Sequence, residues 1–214
     1  MIHLSQLVRG LYGITPQTTD FPSLAKKIEQ AAAGGLRVLQ WRQKTLAPAD
    51  ALQHAHSLAK LCRLLGVTFI VNDDVGLARA VHADGVHLGK DDGDIGAARA
   101  ALGADKIIGR SCYNELARAK AALQDGADYV AFGAVFASSV KPDAPHAPLE
   151  LFEQARQQCA RLATKPFALV AIGGITQANA PLVLGAGADS LAVIGGLFDT
   201  PDIHSTAAQF AALF

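Results

Sequence analysis

Asp125-Gly126-Ala127-Asp128-Tyr129-Val130-Ala131-Phe132-Gly133 carries a tight turn of small residues into a continuous apolar run that stops at a glycine. A run apolar on both faces reads as a strand buried on both sides, the habit of parallel sheets. Asp84-Gly85-Val86-His87-Leu88-Gly89 and Gly187-Ala188-Asp189-Ser190-Leu191-Ala192-Val193-Ile194-Gly195 repeat the arrangement, and Gly34-Gly35-Leu36-Arg37-Val38-Leu39-Gln40 is a looser copy. An Ala-rich segment of helical composition precedes each, so the unit is helix, turn, buried parallel strand and loop. The repeat predicts an α/β fold, a single-domain (β/α)8 TIM barrel over residues 1–214. Strands are expected near residues 10–15, 37–44, 67–73, 85–89, 106–111, 129–136, 167–173 and 190–195. Such a barrel holds its chemistry at the C-terminal ends of its strands, so those residues are read first.

The 214 residues suffice for one buried core, and no linker or low-complexity stretch divides them. Helix openings are legible at Phe21-Pro22-Ser23, Ala47-Pro48-Ala49-Asp50, Asn114-Glu115 and Asp202. Lys plus Arg and Asp plus Glu both total 19, a balance that argues against nucleic acid or an anionic membrane as partner. The charge-free stretch from Pro166 to Ala188 is long enough to span a bilayer, but Gly173-Gly174, Asn179 and Pro181 divide it into strand, loop and short helix. Met1 to Gly10 lacks the sustained apolar centre of a signal peptide. Cys62, Cys112 and Cys159 form no C-x-x-C pair, which predicts reduced structural thiols and a cytoplasmic location.

The second strand ends Gln40-Trp41-Arg42-Gln43-Lys44. Alternation sends Gln40, Arg42 and Lys44 to one face and Trp41 and Gln43 to the other. Cations facing a barrel interior need an anionic ligand or a carboxylate partner, and the Arg fork suits phosphate. The third strand runs into Asn72-Asp73-Asp74 and the fourth into Gly89-Lys90-Asp91-Asp92, so two neighbouring strands finish in hard oxygen ligands. A divalent cation such as Mg2+ would reconcile those carboxylates. Helix capping is the alternative, and Asp74 and Asp94 fit it better. Gly109-Arg110-Ser111 ends the fifth strand, while Gly173-Gly174 and Gly195-Gly196 end the seventh and eighth. Those glycine pairs either let backbone N–H groups approach a phosphate or simply serve tight turns. The loop from Ala137 to Pro148 holds three prolines and predicts a lid or substrate clamp. His82 and His87 have no partner at ligand spacing and read as structural.

Taken in order, Leu11-Tyr12-Gly13-Ile14-Thr15, Gln40 to Lys44, Asn72-Asp73, Asp84 to Gly89, Phe136 to Lys141-Pro142, Ala171-Ile172-Gly173-Gly174-Ile175 and Gly187-Ala188-Asp189 resemble the thiamine phosphate synthase family over nearly the whole chain. The resemblance implies a transferase of thiamine biosynthesis. It would condense 4-amino-2-methyl-5-hydroxymethylpyrimidine pyrophosphate with a thiazole phosphate and release pyrophosphate. It implies contacts to the pyrimidine pyrophosphate from Gln40, Arg42, Lys44, Asn72, Ser111 and Lys141, with Trp41 and Gln43 in the same binding segment. Asp73 and Asp92 are implied Mg2+ ligands. Ser138, Gly174, Ile194 and Gly195 are the implied thiazole phosphate site, beside the loop residues Ser139 and Val140. Arg42, Lys44, Ser111 and Lys141 are implied to carry catalysis: the pyrimidine methylene–oxygen bond ionises and the thiazole nitrogen captures the cation, with no side-chain nucleophile. Ser138-Ser139-Val140-Lys141 stands where the family usually reads Thr-x-Thr-Lys, Lys90 where Gln is common and Gly195 where Ser is common. The competing readings are a thiazole tautomerase-like paralogue and a non-catalytic barrel that binds thiamine phosphate. Homodimerisation through a helix face is a further expectation, with no apolar stripe in the sequence to announce it.

Overall fold

The computed structural model describes residues 3–137 and 145–214. A 3-10 turn, Leu4–Val8, leads into β1 (Gly10–Ile14), α1 (Phe21–Ala33), β2 (Val38–Trp41), α2 (Pro48–Leu65), β3 (Thr68–Asn72) and α3 (Val75–Ala80). Then follow β4 (Gly85–Leu88), α4 (Ile95–Leu102), β5 (Ile107–Tyr113), α5 (Leu116–Gln124), β6 (Tyr129–Phe132) and α6 (Glu150–Cys159). The chain finishes with β7 (Ala168–Ile172), α7 (Ala180–Gly185), β8 (Ser190–Val193), α8 (Gly195–Phe198) and α9 (Ile203–Ala211). All neighbouring strands are parallel, and β8 pairs with β1 to close the eight-stranded barrel. The charge-free stretch is β7, its loop and α7, and no described helix is long and apolar enough to cross a membrane.

Strand alternation makes two cores. Tyr12, Ile14, Val38, Ile70, Ile107, Tyr129, Val170 and Ala192 point inward, with Val8 of the opening turn packed on them. Leu11, Leu39, Trp41, Phe69, Val86, Ile108, Val130 and Leu191 point outward into the helix layer. The helices begin where the sequence supplies acceptors: Asp20, Asp74, Asp94 and Asp202 each accept from an amide in the first turn. Asp74 and Asp94 are therefore caps.

The residue before each even-numbered strand bridges its two neighbours. Asp84, Asp128 and Asp189 each donate an amide to the preceding odd strand at Phe69, Ile108 and Leu169, and each side chain accepts the amide of that same residue at 2.8 Å. Their carbonyls accept from Ile107, Ala168 and Gly10 on the following odd strand. Arg99 and Lys165 hold Asp128, while Arg9 and Arg156 hold Asp189. Arg37 fills the same backbone role before β2, but its side chain offers no acceptor. That is the chemical reason the first copy of the repeat reads looser.

Four strand ends depart from expectation by two residues or more, β8 among them, which stops at Val193 where the turn into α8 begins. β2 stops at Trp41, because the Arg42 amide turns to the Thr15 hydroxyl at 2.9 Å instead of continuing the ladder. β6 stops at Phe132, and the amides of Val135 and Phe136 go instead to the carbonyls of Ile172 and Gly173. β5 runs on to Tyr113 through an irregularity between Ser111 and Tyr113.

Candidate active site

Inward alternation brings Gln40 (β2), Asn72 (β3), His87 (β4) and Ser111 (β5) to the C-terminal half of the barrel interior. Gln40 is buried and donates from Nε2 to the Tyr12 hydroxyl at 2.7 Å. His87 is buried between Tyr129 Oη, 2.9 Å from Nδ1, and Ser111 Oγ, 2.8 Å from Nε2. Desolvation pushes the His87 ring down to about 4, with Arg110 acting in the same direction. His87 is thus structurally held, as expected, although its ring touches a candidate site residue.

Beyond Asn72 the backbone enters the left-handed region at Asp73 (φ 65°), a conformation that Asp tolerates better than most residues. The Asp73 amide donates to His87 O at 2.8 Å, which fixes that turn against β4. After β4, Asp92 folds back so that its carboxylate accepts the Gly89 amide at 2.9 Å. Arg110 ties the same loop down, donating to Gly89 O at 2.6 Å and Gly93 O at 2.7 Å. A hydrogen bond shared with Asp73, then burial and the Asp73 charge, raise the Asp92 carboxyl above the usual carboxylate range. Two facing carboxylates that resist simultaneous ionisation suit a divalent cation, and Mg2+ is commonly held by one or two carboxylates plus phosphate oxygens and waters. Among the described residues no group of three or more His, Cys, Asp or Glu is placed to hold a metal.

Lys44 pairs with Asp73 at 3.1 Å, and its side chain is 54% exposed. The expectation of an inward-facing Lys44 is therefore corrected, because strand alternation ends with β2 at Trp41. The carboxylate-partner reading of Lys44 is the observed one. Arg42 is half-buried, its backbone clamped on both sides by the buried Thr15 hydroxyl. Trp41 packs outward, 5.9 Å from the Phe21 ring, and Gln43 donates to Thr18 O at 3.0 Å.

Across the mouth, Gly174 follows β7 at φ 62°, and a Cβ there would lie 2.3 Å from Ala137 O. The glycine is required by the close approach of the segment after β6. Ile194 and Gly195 sit at the turn from β8 into the short helix α8. Ser138, Ser139, Val140 and Lys141 lie outside the described residues. Sequence reasoning singled out neither Tyr12, Thr15, Arg110 nor Tyr129 for the site; the first and last look like core aromatics until their hydroxyls are followed.

A family model described as thiamine monophosphate synthase matches residues 11–197. The chain is 53% identical over 207 residues to a thiamine-phosphate synthase of Methylobacillus flagellatus, covering 97% of this chain and 96% of the relative. It is 52% identical over 205 residues to that of Bordetella avium, covering 96% and 94%. Among solved structures, a thiamine phosphate pyrophosphorylase from Pyrococcus furiosus superposes with a TM-score of 0.81 at 31% identity, covering 98% of this chain and 96% of that one. Matched along the barrel in both sequence and fold, the chain belongs to the thiamine monophosphate synthase family.

Proposed function

We propose that this chain is a Mg2+-dependent transferase that joins 4-amino-2-methyl-5-hydroxymethylpyrimidine pyrophosphate to a thiazole phosphate, releasing pyrophosphate and thiamine phosphate. The observation that carries the metal-dependent reading is the facing pair Asp73 and Asp92, with Lys44 on Asp73 and Arg110 fixing the loop of Asp92. A bound Mg2+ at these carboxylates would neutralise charge on the pyrophosphate. Arg42 and Lys44, with Lys141 from the loop after β6, would bind the departing pyrophosphate as the pyrimidine methylene–oxygen bond breaks heterolytically. The electron pair leaves with the pyrophosphate oxygen, and the thiazole nitrogen donates its pair to the pyrimidine methylene carbon. Gln40, Asn72 and Ser111 would orient the pyrimidine. Ser138, Gly174, Ile194 and Gly195 would hold the thiazole phosphate, with Ser139 and Val140 closing over it against water. The free buried thiols suit a reducing, cytoplasmic setting.

Pyrophosphate release that requires both substrates and Mg2+ separates this reading from a tautomerase-like paralogue and from a silent binding barrel. Asp92→Ala is expected to lower turnover by about a hundredfold or more, since a lost cation site forfeits several kcal/mol of charge stabilisation. Removing one of two repelling carboxylates should leave folding stability within about 1 kcal/mol of the parent. Full activity of Asp92→Ala at moderate Mg2+ would end the metal assignment.

A further inference from the structure

A file of polar side chains crosses the barrel interior beneath the mouth. Gln40 Nε2 donates to Tyr12 Oη at 2.7 Å, Tyr12 Oη lies 2.9 Å from Tyr129 Oη, Tyr129 Oη lies 2.9 Å from His87 Nδ1, and His87 Nε2 lies 2.8 Å from Ser111 Oγ. Each hydroxyl has one proton to give, so the direction at one end propagates to the other. With Gln40 donating, Tyr12 donates to Tyr129, Tyr129 to Nδ1 of a neutral imidazole, and Nε2–H to Ser111. Gln40 Oε1 is left as an acceptor and the Ser111 hydroxyl as a donor.

We propose that Tyr12, Tyr129 and His87 are positioning residues that lock Gln40 and Ser111 into one acceptor–donor unit. That unit would read a heteroaromatic ring bearing an exocyclic amine and an acceptor ring nitrogen. The inference rests on the pyrimidine substrate put forward above. The file is complete only with a neutral His87 ring, because a protonated one would donate from both nitrogens and leave Tyr129 without an acceptor. The path is also built into the backbone: a Cβ on Gly109 would lie 1.9 Å from Tyr129 Cζ, so the chain has left a side chain out where the Tyr129 ring passes. Burial raises the pKa of both tyrosines, so both hydroxyls stay protonated as the file requires.

The test is steady-state kinetics with the aminopyrimidine pyrophosphate and its des-amino analogue, in the presence of Mg2+ and thiazole phosphate. Tyr129→Phe keeps the ring and deletes only the link between Tyr12 and His87. It is expected to raise KM for the amino substrate about fivefold and to shrink the kcat/KM preference for it over the analogue by a similar factor, the scale of one neutral hydrogen bond. KM for the thiazole phosphate should not move. Should Tyr129→Phe fail to fold, Tyr12→Phe carries the same expectation. An unchanged preference in an active variant, or equal rises in both KM values, overturns the proposal and leaves the proposed reaction standing. A parent protein that releases no pyrophosphate overturns that reaction, and this inference with it.

Discussion

His87 is a titratable ring in a place that admits only its neutral form, so its protonation is tied to folding. The folded ring titrates near 4 and an unfolded one near 6.5. Between those values the unfolded chain binds the extra proton, so the contribution is complete above pH 6.5 and is lost as pH falls through 4. The loss reaches on the order of 3 kcal/mol at pH 4. Denaturant unfolding of the parent and of His87→Gln should show the stability gap between them narrowing by about that amount from pH 7 to pH 4. A gap constant with pH would mean that the buried ring titrates like a free one. Gln40 and Ser111 were legible in the sequence because strand ends in a barrel are where polar residues stand out from apolar runs. Tyr12 and Tyr129 were not: an aromatic in an apolar strand reads as core, and the two hydroxyls that join the file at its middle are 117 residues apart with no local signature.

Two neighbouring strands show how tightly the elements are fitted. β5 and β6 pair with Gly109 opposite Tyr129, and the missing side chain of the one is the space of the other. Gly109→Ala should cost at least about 1–3 kcal/mol, as overpacking a filled core does, and disturb the file ending at Ser111. Chemical denaturation measures it, and a cost below about 0.5 kcal/mol would show that the Tyr129 ring has room to move. At this scale all eight strands were legible as apolar runs, β2, β4, β6 and β8 from the turn-and-run repeat itself, and Asp74 and Asp94 as caps from their place before helical segments. The ends of β2 and β6 were not, because each is set by a partner distant in sequence, the Thr15 hydroxyl for one and the β7 carbonyls for the other. The misplaced end of β2 is why Lys44 was expected inside the barrel and is found at its rim.

Across the whole molecule the three cysteines share one environment. All are free and buried, and burial pushes Cys62 and Cys112 up to about 12 and raises Cys159. At pH 8 the thiolate fraction of Cys62 and Cys112 falls on the order of a thousandfold, before access is counted. A thiol reagent should therefore leave the native protein essentially unlabelled and find three thiols after denaturation; rapid native labelling of any one would place it at the surface.

A closed ring also obliges the chain to bring its first strand to its last. Ser190 and Gly10, bonded at 2.7 Å, are 180 residues apart, whereas the clamps of Asp128 on Ile108 and Asp189 on Leu169 span 20. Loop closure scales with the logarithm of length, so the longer reach costs only about 2 kcal/mol more than the shorter ones. Two side-chain links cross that join beyond the backbone ladder, Ser190 to the Gly10 carbonyl and Arg9 to Asp189 at 3.2 Å. At roughly 0.5–1.5 kcal/mol for the buried hydroxyl bond and less for the exposed ion pair, they are of the same order as the entropy of the reach. Topology therefore asks of the first and last strands a modest surcharge in chain entropy, and Arg9, Gly10, Asp189 and Ser190 are the residues that offset it.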